Sequence, residues 1–173
     1  MSYPRGVGVT GGILAAMTSR TPIDIVTGFL DSLARGDSAA GMIDVADQIA
    51  YTNVSMPTIR GRAKVKKIFT QFDASPASFN YRMVNVSADE ESGVVLTERV
   101  DEIRLGRFIL QFWVCGRFEI ADAQITVWRD YFDYFDMTKA LLKGLLGVVV
   151  PAVVRPLPDE HTTRVLRATG PLA

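Results

Sequence analysis

The chain has little of two reactive residue types: one cysteine, Cys115, and one histidine, His161, among 173 residues. A lone cysteine excludes an internal disulfide and fits a reducing cytoplasm, which is the expected compartment. A lone histidine excludes a multi-histidine metal site, so no metal is expected. It also leaves a histidine-based triad only one residue to use, in a proline-containing tail. An excess of charge is lacking too. Nineteen basic residues balance nineteen acidic ones, so there is no electrostatic footprint for nucleic acid. Long apolar runs are also missing. Residues 140–154 contain Lys143 and Pro151 and fall short of the roughly 20 residues that span a bilayer. They read as a buried or interfacial helix, without stable membrane insertion. The start, MSYPRGVGVTGGILAAM, has one arginine before a glycine-interrupted apolar run, a poor signal peptide. Residues 1–20 read as a flexible extension, with Met17 an alternative start.

What is present is ordinary globular composition, 48% hydrophobic and 22% charged, in a length that fits one domain with a sizeable core. That domain is expected over residues 21–154, with a tail at 155–173. In TPIDIVTGFLDSLARGD, Thr21 is placed to cap a helix, with Pro22 at its first position and Gly36 at its end. Ile25, Phe29, Leu30 and Leu33 form its apolar stripe. A short helix is expected over Ser38–Val45, a strand in IAYTNVSM, a break at Pro57 and Gly61, and a third helix over Arg62–Phe72. Four strands follow, at Phe79–Ala88, Gly93–Leu105, Arg107–Ile120 and Gln124–Tyr134. Their turns lie in DEESG, at Gly106 and in ADAQ. Asp136 is read as the cap of a final helix beginning at Met137.

Helices first and meandering strands after them indicate an α+β fold, a helix layer against a curved mixed or antiparallel sheet that wraps around a deep pocket. This order is the plan of cone-like α+β barrels of the nuclear-transport-factor-2-like type. Such an analogy says nothing about chemistry by itself.

Side chains two apart on a strand share a face, about 7 Å from one another. In LTERVDEIRL, Arg99 and Asp101 are such a pair. In IAYTNVSM, Tyr51 and Asn53 are another, and in ITVWRDYFDYFDM so are Trp128, Asp130 and Phe132. Taken singly, Arg99–Asp101 also reads as a solvated ion pair, and Tyr51 with Asn53 as a half-buried strand edge. Aspartate in an aromatic strand is less ordinary, since a buried carboxylate must be hydrogen-bonded, paired or protonated. Pattern alone gives a polar-lined pocket.

LTERVD at 96–101, WRDYFD at 128–133 and YTN at 51–53 resemble the signature of the limonene-1,2-epoxide hydrolase family. IRGR at 59–62, QFWVCGRFEI at 111–120 and KALLKGLL at 139–146 extend the likeness over most of the chain. The resemblance implies a cofactor-free, usually dimeric enzyme of nuclear-transport-factor-2-like, SnoaL-like fold. Such an enzyme turns an epoxide and water into a vicinal diol. It also implies roles. Asp101 matches the general acid, Asp130 the general base, and Arg99 the arginine between them. Tyr51 and Asn53 match the residues that hold the attacking water. The chain departs from the family in its extra N-terminal segment, its apolar C-terminus and its pocket lining.

Trp128, Phe132, Trp113, Leu96, Met83 and the final helix are the expected wall, suited to a lipophilic epoxide, terpene-, steroid-like or otherwise cyclic. Cys115 reads as an inert core or pocket-wall thiol. Glu98 and Glu102 fall on the opposite face, toward solvent or a dimer contact, and Asp133 is opposite Asp130. Two alternatives stand beside the hydrolase. One is a ketosteroid-isomerase-like isomerase with an aspartate base, and the other is a non-catalytic lipid-binding module.

Overall fold

The computed structural model describes residues 20–158; His161 and the extension before Arg20 lie outside them. Helix α1 (Pro22–Ala34) opens as the sequence predicts. Thr21 Oγ1 accepts from the Asp24 backbone at 3.1 Å, and Asp24 Oδ2 accepts from the Thr21 backbone at 3.0 Å, a reciprocal cap. The second helix is shorter than expected. Only Ser38–Gly41 (α2) is α-helical, Met42–Asp44 tightens into a 3-10 turn, and Val45 already begins a strand. Val45 is taken by pairing with Ile125, so sheet contact overrides local helix preference.

Strand β1 (Val45–Asn53) therefore starts four residues before IAYTNVSM and ends before Ser55, whose φ is 75°. A two-residue strand β2 (Ile59–Arg60), unforeseen from sequence, precedes α3 (Arg62–Asp73). Then come β3 (Ala77–Asp89), β4 (Val94–Leu105), β5 (Phe108–Ala121) and β6 (Gln124–Tyr131). All six strands form one mixed, curved sheet in the order β2-β1-β6-β5-β4-β3. Strand β1 runs parallel to β6, and the other neighbours are antiparallel.

Helix α4 (Tyr134–Val149) begins three residues before its expected start. Asp133, not Asp136, is the cap, and its Oδ1 accepts from the Asp136 backbone at 2.8 Å. The end of β6 at Tyr131 selects the earlier one.

The core lies between α1 and the concave face of the sheet, where Val26, Phe29, Leu30, Ile49, Val65, Phe118 and Ile125 are buried. Trp128 is its hub, edge-on to Phe29 at 5.1 Å and against Tyr51 at 4.3 Å between centroids. On the convex face, Glu102 is fully buried rather than facing solvent. It accepts from Arg104 Nε at 2.5 Å, Gln111 Nε2 at 2.6 Å and the Leu157 backbone at 2.8 Å. Residues 155–157 are thereby clasped to the sheet, with the Arg155 and Leu157 carbonyls accepting from Gln111 and Arg104.

Candidate active site

Strand register builds the site. Asn53 on β1 pairs with Asp130 on β6, Asp130 with Gly116 on β5, and Gly116 with Thr97 on β4. Arg99 stands two residues beyond Thr97 on the same concave face, and Asp101 two beyond that. The pair Arg99–Asp101 therefore points inward, not to solvent.

Arg99 is 1% exposed, and Asp101 and Asp130 are 6% exposed each. The Arg99 Nε donates to Asp101 Oδ1 at 2.8 Å, and its Nη2 donates to Asp130 Oδ2 at 2.7 Å. One guanidinium thus bridges two buried carboxylates. Burial pushes Asp101 up to about 6, an effect opposed by Arg99 and assisted by the charge of Asp130. Burial works against the charge of Arg99, but the two carboxylates raise its pKa above that of an ordinary arginine. The second oxygen of Asp130, Oδ1, is buried with no hydrogen-bond partner among the described residues; Trp128 Nε1 is another such atom.

Tyr51 and Asn53 also meet. Asn53 Nδ2 donates to the Tyr51 hydroxyl at 3.0 Å. Burial first, and the charge of Asp130 second, raise Tyr51 well above the usual phenol range, so it remains a hydroxyl donor. All five polar candidates thus converge on one region. Asp101, Asp130, Tyr51 and Asn53 line a cavity of about 290 Å³, and Arg99 joins the two carboxylates.

The apolar candidates divide. Trp128 and Phe132 line the cavity. Met83 faces the concave side and packs against the core, without reaching the cavity wall. Leu96 and Trp113 do not belong to it. Leu96 has the opposite strand parity to Arg99 and is 46% exposed on the convex face. Trp113 is 44% exposed there and donates to Glu98 Oε1 at 3.1 Å. Cys115 shares the parity of Trp113 and is likewise off the pocket wall. Strand parity alone already excludes Leu96.

Several wall residues were not foreseen. Leu33, Phe69, Phe72, Phe79, Ile103 and Phe112 add apolar surface, and Met137 brings the start of α4 to it. The parity of Ile103 with Asp101 was a readable signal for one of them. Helix α3 carries its own signal, since Phe69 and Phe72 lie on the apolar side opposite its basic residues. Ser38 and Asp73 add a second polar patch, with Asp73 accepting from the Ser38 backbone and hydroxyl at 2.9 and 3.0 Å.

Two buried carboxylates bridged by an arginine, beside a tyrosine–asparagine pair in an apolar cavity, suit acid–base chemistry on an apolar molecule. The sequence pattern of the limonene-1,2-epoxide hydrolase catalytic domain matches residues 20–143 of this chain. The chain belongs to the limonene-1,2-epoxide hydrolase family. Its similarity extends to the epoxide hydrolase EphG of Mycobacterium tuberculosis (strain ATCC 25618 / H37Rv). The two are 38% identical over 128 residues, covering 74% of this chain and 84% of EphG. The solved structure of an M. tuberculosis LEH-like epoxide hydrolase superposes with a TM-score of 0.74 at 38% identity, covering 79% of this chain and 95% of that one. More distantly, an NTF2-like protein from Cytophaga hutchinsonii shares the fold, with a TM-score of 0.56 at 16% identity over 70% of this chain and 98% of that one. The expected nuclear-transport-factor-2-like architecture is thus the observed one. Among the described residues of this family member, no group of three histidine, cysteine or acidic side chains is placed to hold a metal ion. No described helix is long and apolar enough to cross a membrane.

Proposed function

We propose that this epoxide hydrolase opens a lipophilic, cyclic or terpene-like epoxide to a vicinal diol by direct attack of water, without a covalent intermediate. The observation that carries the reading is the Asp101–Arg99–Asp130 bridge at the wall of an apolar cavity. An epoxide needs a proton delivered to its oxygen and a nucleophile at its carbon. Asp101 is the general acid. Its raised pKa leaves it holding a proton at pH values where an exposed aspartate has lost one. Asp130 is the base, and its carboxylate has acceptor capacity beyond its bond to Arg99. Asn53 and Tyr51 help hold the water against it.

In one step the water oxygen bonds to the epoxide carbon and its proton passes to Asp130. The ring C–O bond breaks, and its oxygen takes the proton of Asp101. Each positioned proton transfer contributes roughly 10²–10⁴-fold. Arg99 touches both carboxylates and stabilises whichever is ionised. Afterwards one proton returns from Asp130 to Asp101 or exchanges with solvent. An isomerase has no use for an arginine bridging two acids, and a purely apolar ligand no use for four buried polar groups beside a half-buried asparagine.

The cavity volume, about 290 Å³, lies at the lower end of the roughly 300–1,000 Å³ usual for small-molecule sites. It favours a terpene-sized ring over a complete steroid. We also propose a cytoplasmic homodimer. A reducing compartment fits the single cysteine. Leu96, Trp113 and Val84 on the convex face, with Leu142, Leu146 and Val149 on α4, are exposed apolar side chains that a second copy would cover.

The test is single turnover of an epoxide panel in water labelled with heavy oxygen, spanning limonene oxide, cyclohexene oxide, styrene oxide and a steroid epoxide. Label in the first diol formed, with none in the protein, is the expected result. Label entering an aspartate would overturn direct attack, and no turnover of any epoxide would overturn the activity.

A further inference from the structure

The Nε–H and Nη2–H groups of an arginine point along one edge of the guanidinium, a geometry that ordinarily grips a single carboxylate with two parallel bonds. Here that edge is divided, with Nε on Asp101 and Nη2 on Asp130. A divided edge competes with rotation of the plane onto both oxygens of either acid. The remaining nitrogen, Nη1, donates to Thr97 Oγ1 at 3.1 Å, and Thr97 is 1% exposed. The Thr97 hydroxyl points its own hydrogen toward the Gly116 carbonyl, 3.5 Å away.

Gly116 lies between the two strands that carry the acids, paired with Thr97 on one side and Asp130 on the other. A Cβ there would run into Arg99 Nη1 and stand 2.6 Å from Thr97 Oγ1 and 3.0 Å from Asp130 Oδ1. Glycine within a strand marks such a close approach. No larger residue leaves the guanidinium its place.

We propose that Thr97 and Gly116 are positioning residues that keep the Arg99 guanidinium divided between the two acids. Thr97 tethers the third nitrogen, and Gly116 leaves the space in which the plane lies. Each acid then receives one arginine bond. A two-bond grip on Asp101 would lock it as the ionised form and disable it as an acid. A two-bond grip on Asp130 would compete with the water for the base. The proposal deepens the epoxide-hydrolase reading and rests on it for its catalytic meaning.

The titration of Asp101 reports the division directly and needs no substrate. The groups facing it are Arg99 on its own strand, Asp130 on β6, Tyr51 on β1, and Tyr81 on β3, whose hydroxyl donates to Asp31 of α1 at 2.6 Å. Carbon-13 NMR would follow the Asp101 carboxyl in wild type, Thr97→Val and Thr97→Ser, with limonene oxide turnover measured in parallel. In Thr97→Val the midpoint is expected to move by roughly one unit or more, downward if Arg99 closes on Asp101 and upward if it closes on Asp130. Turnover should fall at least about tenfold, and Thr97→Ser should restore both. Gly116→Ala should move the same midpoint. Thr97→Ala carries the test if the valine variant does not fold.

An unmoved Asp101 midpoint in the threonine variants, or a serine variant shifted as far as the valine one, would overturn the tether. An unmoved midpoint in Gly116→Ala would overturn the role of the glycine. Absence of epoxide turnover in wild type would sink the functional reading alone, with the titration still deciding the tether.

Discussion

Raising the pH should disable this enzyme through Asp101. Its carboxyl is pushed up to about 6, with burial the largest cause. If Asp101 must deliver a proton, kcat/KM should fall about tenfold per pH unit above that value, to roughly a hundredth of its plateau at pH 8. Asp101→Asn should lower the plateau by roughly 10²–10⁴-fold and abolish this limb. Stability should follow the same proton. An unfolded aspartate releases it near pH 4, whereas the folded one keeps it to about 6. This contribution to stability is therefore complete below about pH 4 and lost as pH rises through about 6, amounting to about 3 kcal/mol. The assays are kcat/KM for limonene oxide from pH 4.5 to 9 and urea unfolding at the two ends of that range. A wild-type profile flat across this range, or an alkaline limb that survives in Asp101→Asn, would refute the assignment of the acid.

Arg99→Gln removes the counter-charge from two buried acids, a loss typically costing about 3–5 kcal/mol. Urea unfolding should show a larger loss at pH 8 than at pH 5, where one acid can take up a proton, and turnover should disappear. Glu102→Gln weakens charged hydrogen bonds on the face of the sheet opposite the cavity. Amide exchange at Leu157 should accelerate, with a stability loss of about 1–3 kcal/mol and kcat unchanged. In the β5–β6 turn, Asp122 and Ala123 have φ of 50° and 57°, a turn that favours glycine. Ala123→Gly should therefore raise the unfolding free energy by about 1 kcal/mol, measurable by the same urea titration.

Period-2 patterning and capping rules were sufficient for the order of the helices and of every strand but the two-residue β2. They were also sufficient to put Arg99 beside Asp101, Tyr51 beside Asn53, and Trp128, Asp130 and Phe132 on one face, because those relations are local to a strand. They failed where contacts beyond the local segment decided. Asp136 is read as the cap of α4, but Asp133 holds that place because β6 ends at Tyr131. Ser38–Val45 looks helical until Val45 finds Ile125 across the sheet. Leu96 and Trp113 are expected at the wall, but strand parity directs them to the other face.

The meeting of the three polar pairs has a different origin. No local rule makes β1 run parallel to β6 or places Asn53 opposite Asp130. Nor does any local rule bring Asp130 within 2.7 Å of an arginine two strands away. Those relations depend on the strand order and on the curvature that wraps the open sheet around its cavity. The sequence by itself determined which side chains each strand could offer to a pocket, since alternation along a strand is a covalent property of the chain. Only the tertiary structure decided that one guanidinium would join two acids, that Thr97 and Gly116 would stand behind it, and that Asp101 would be buried deeply enough to hold a proton. Desolvation and contact between distant strands exist only once the sheet has formed.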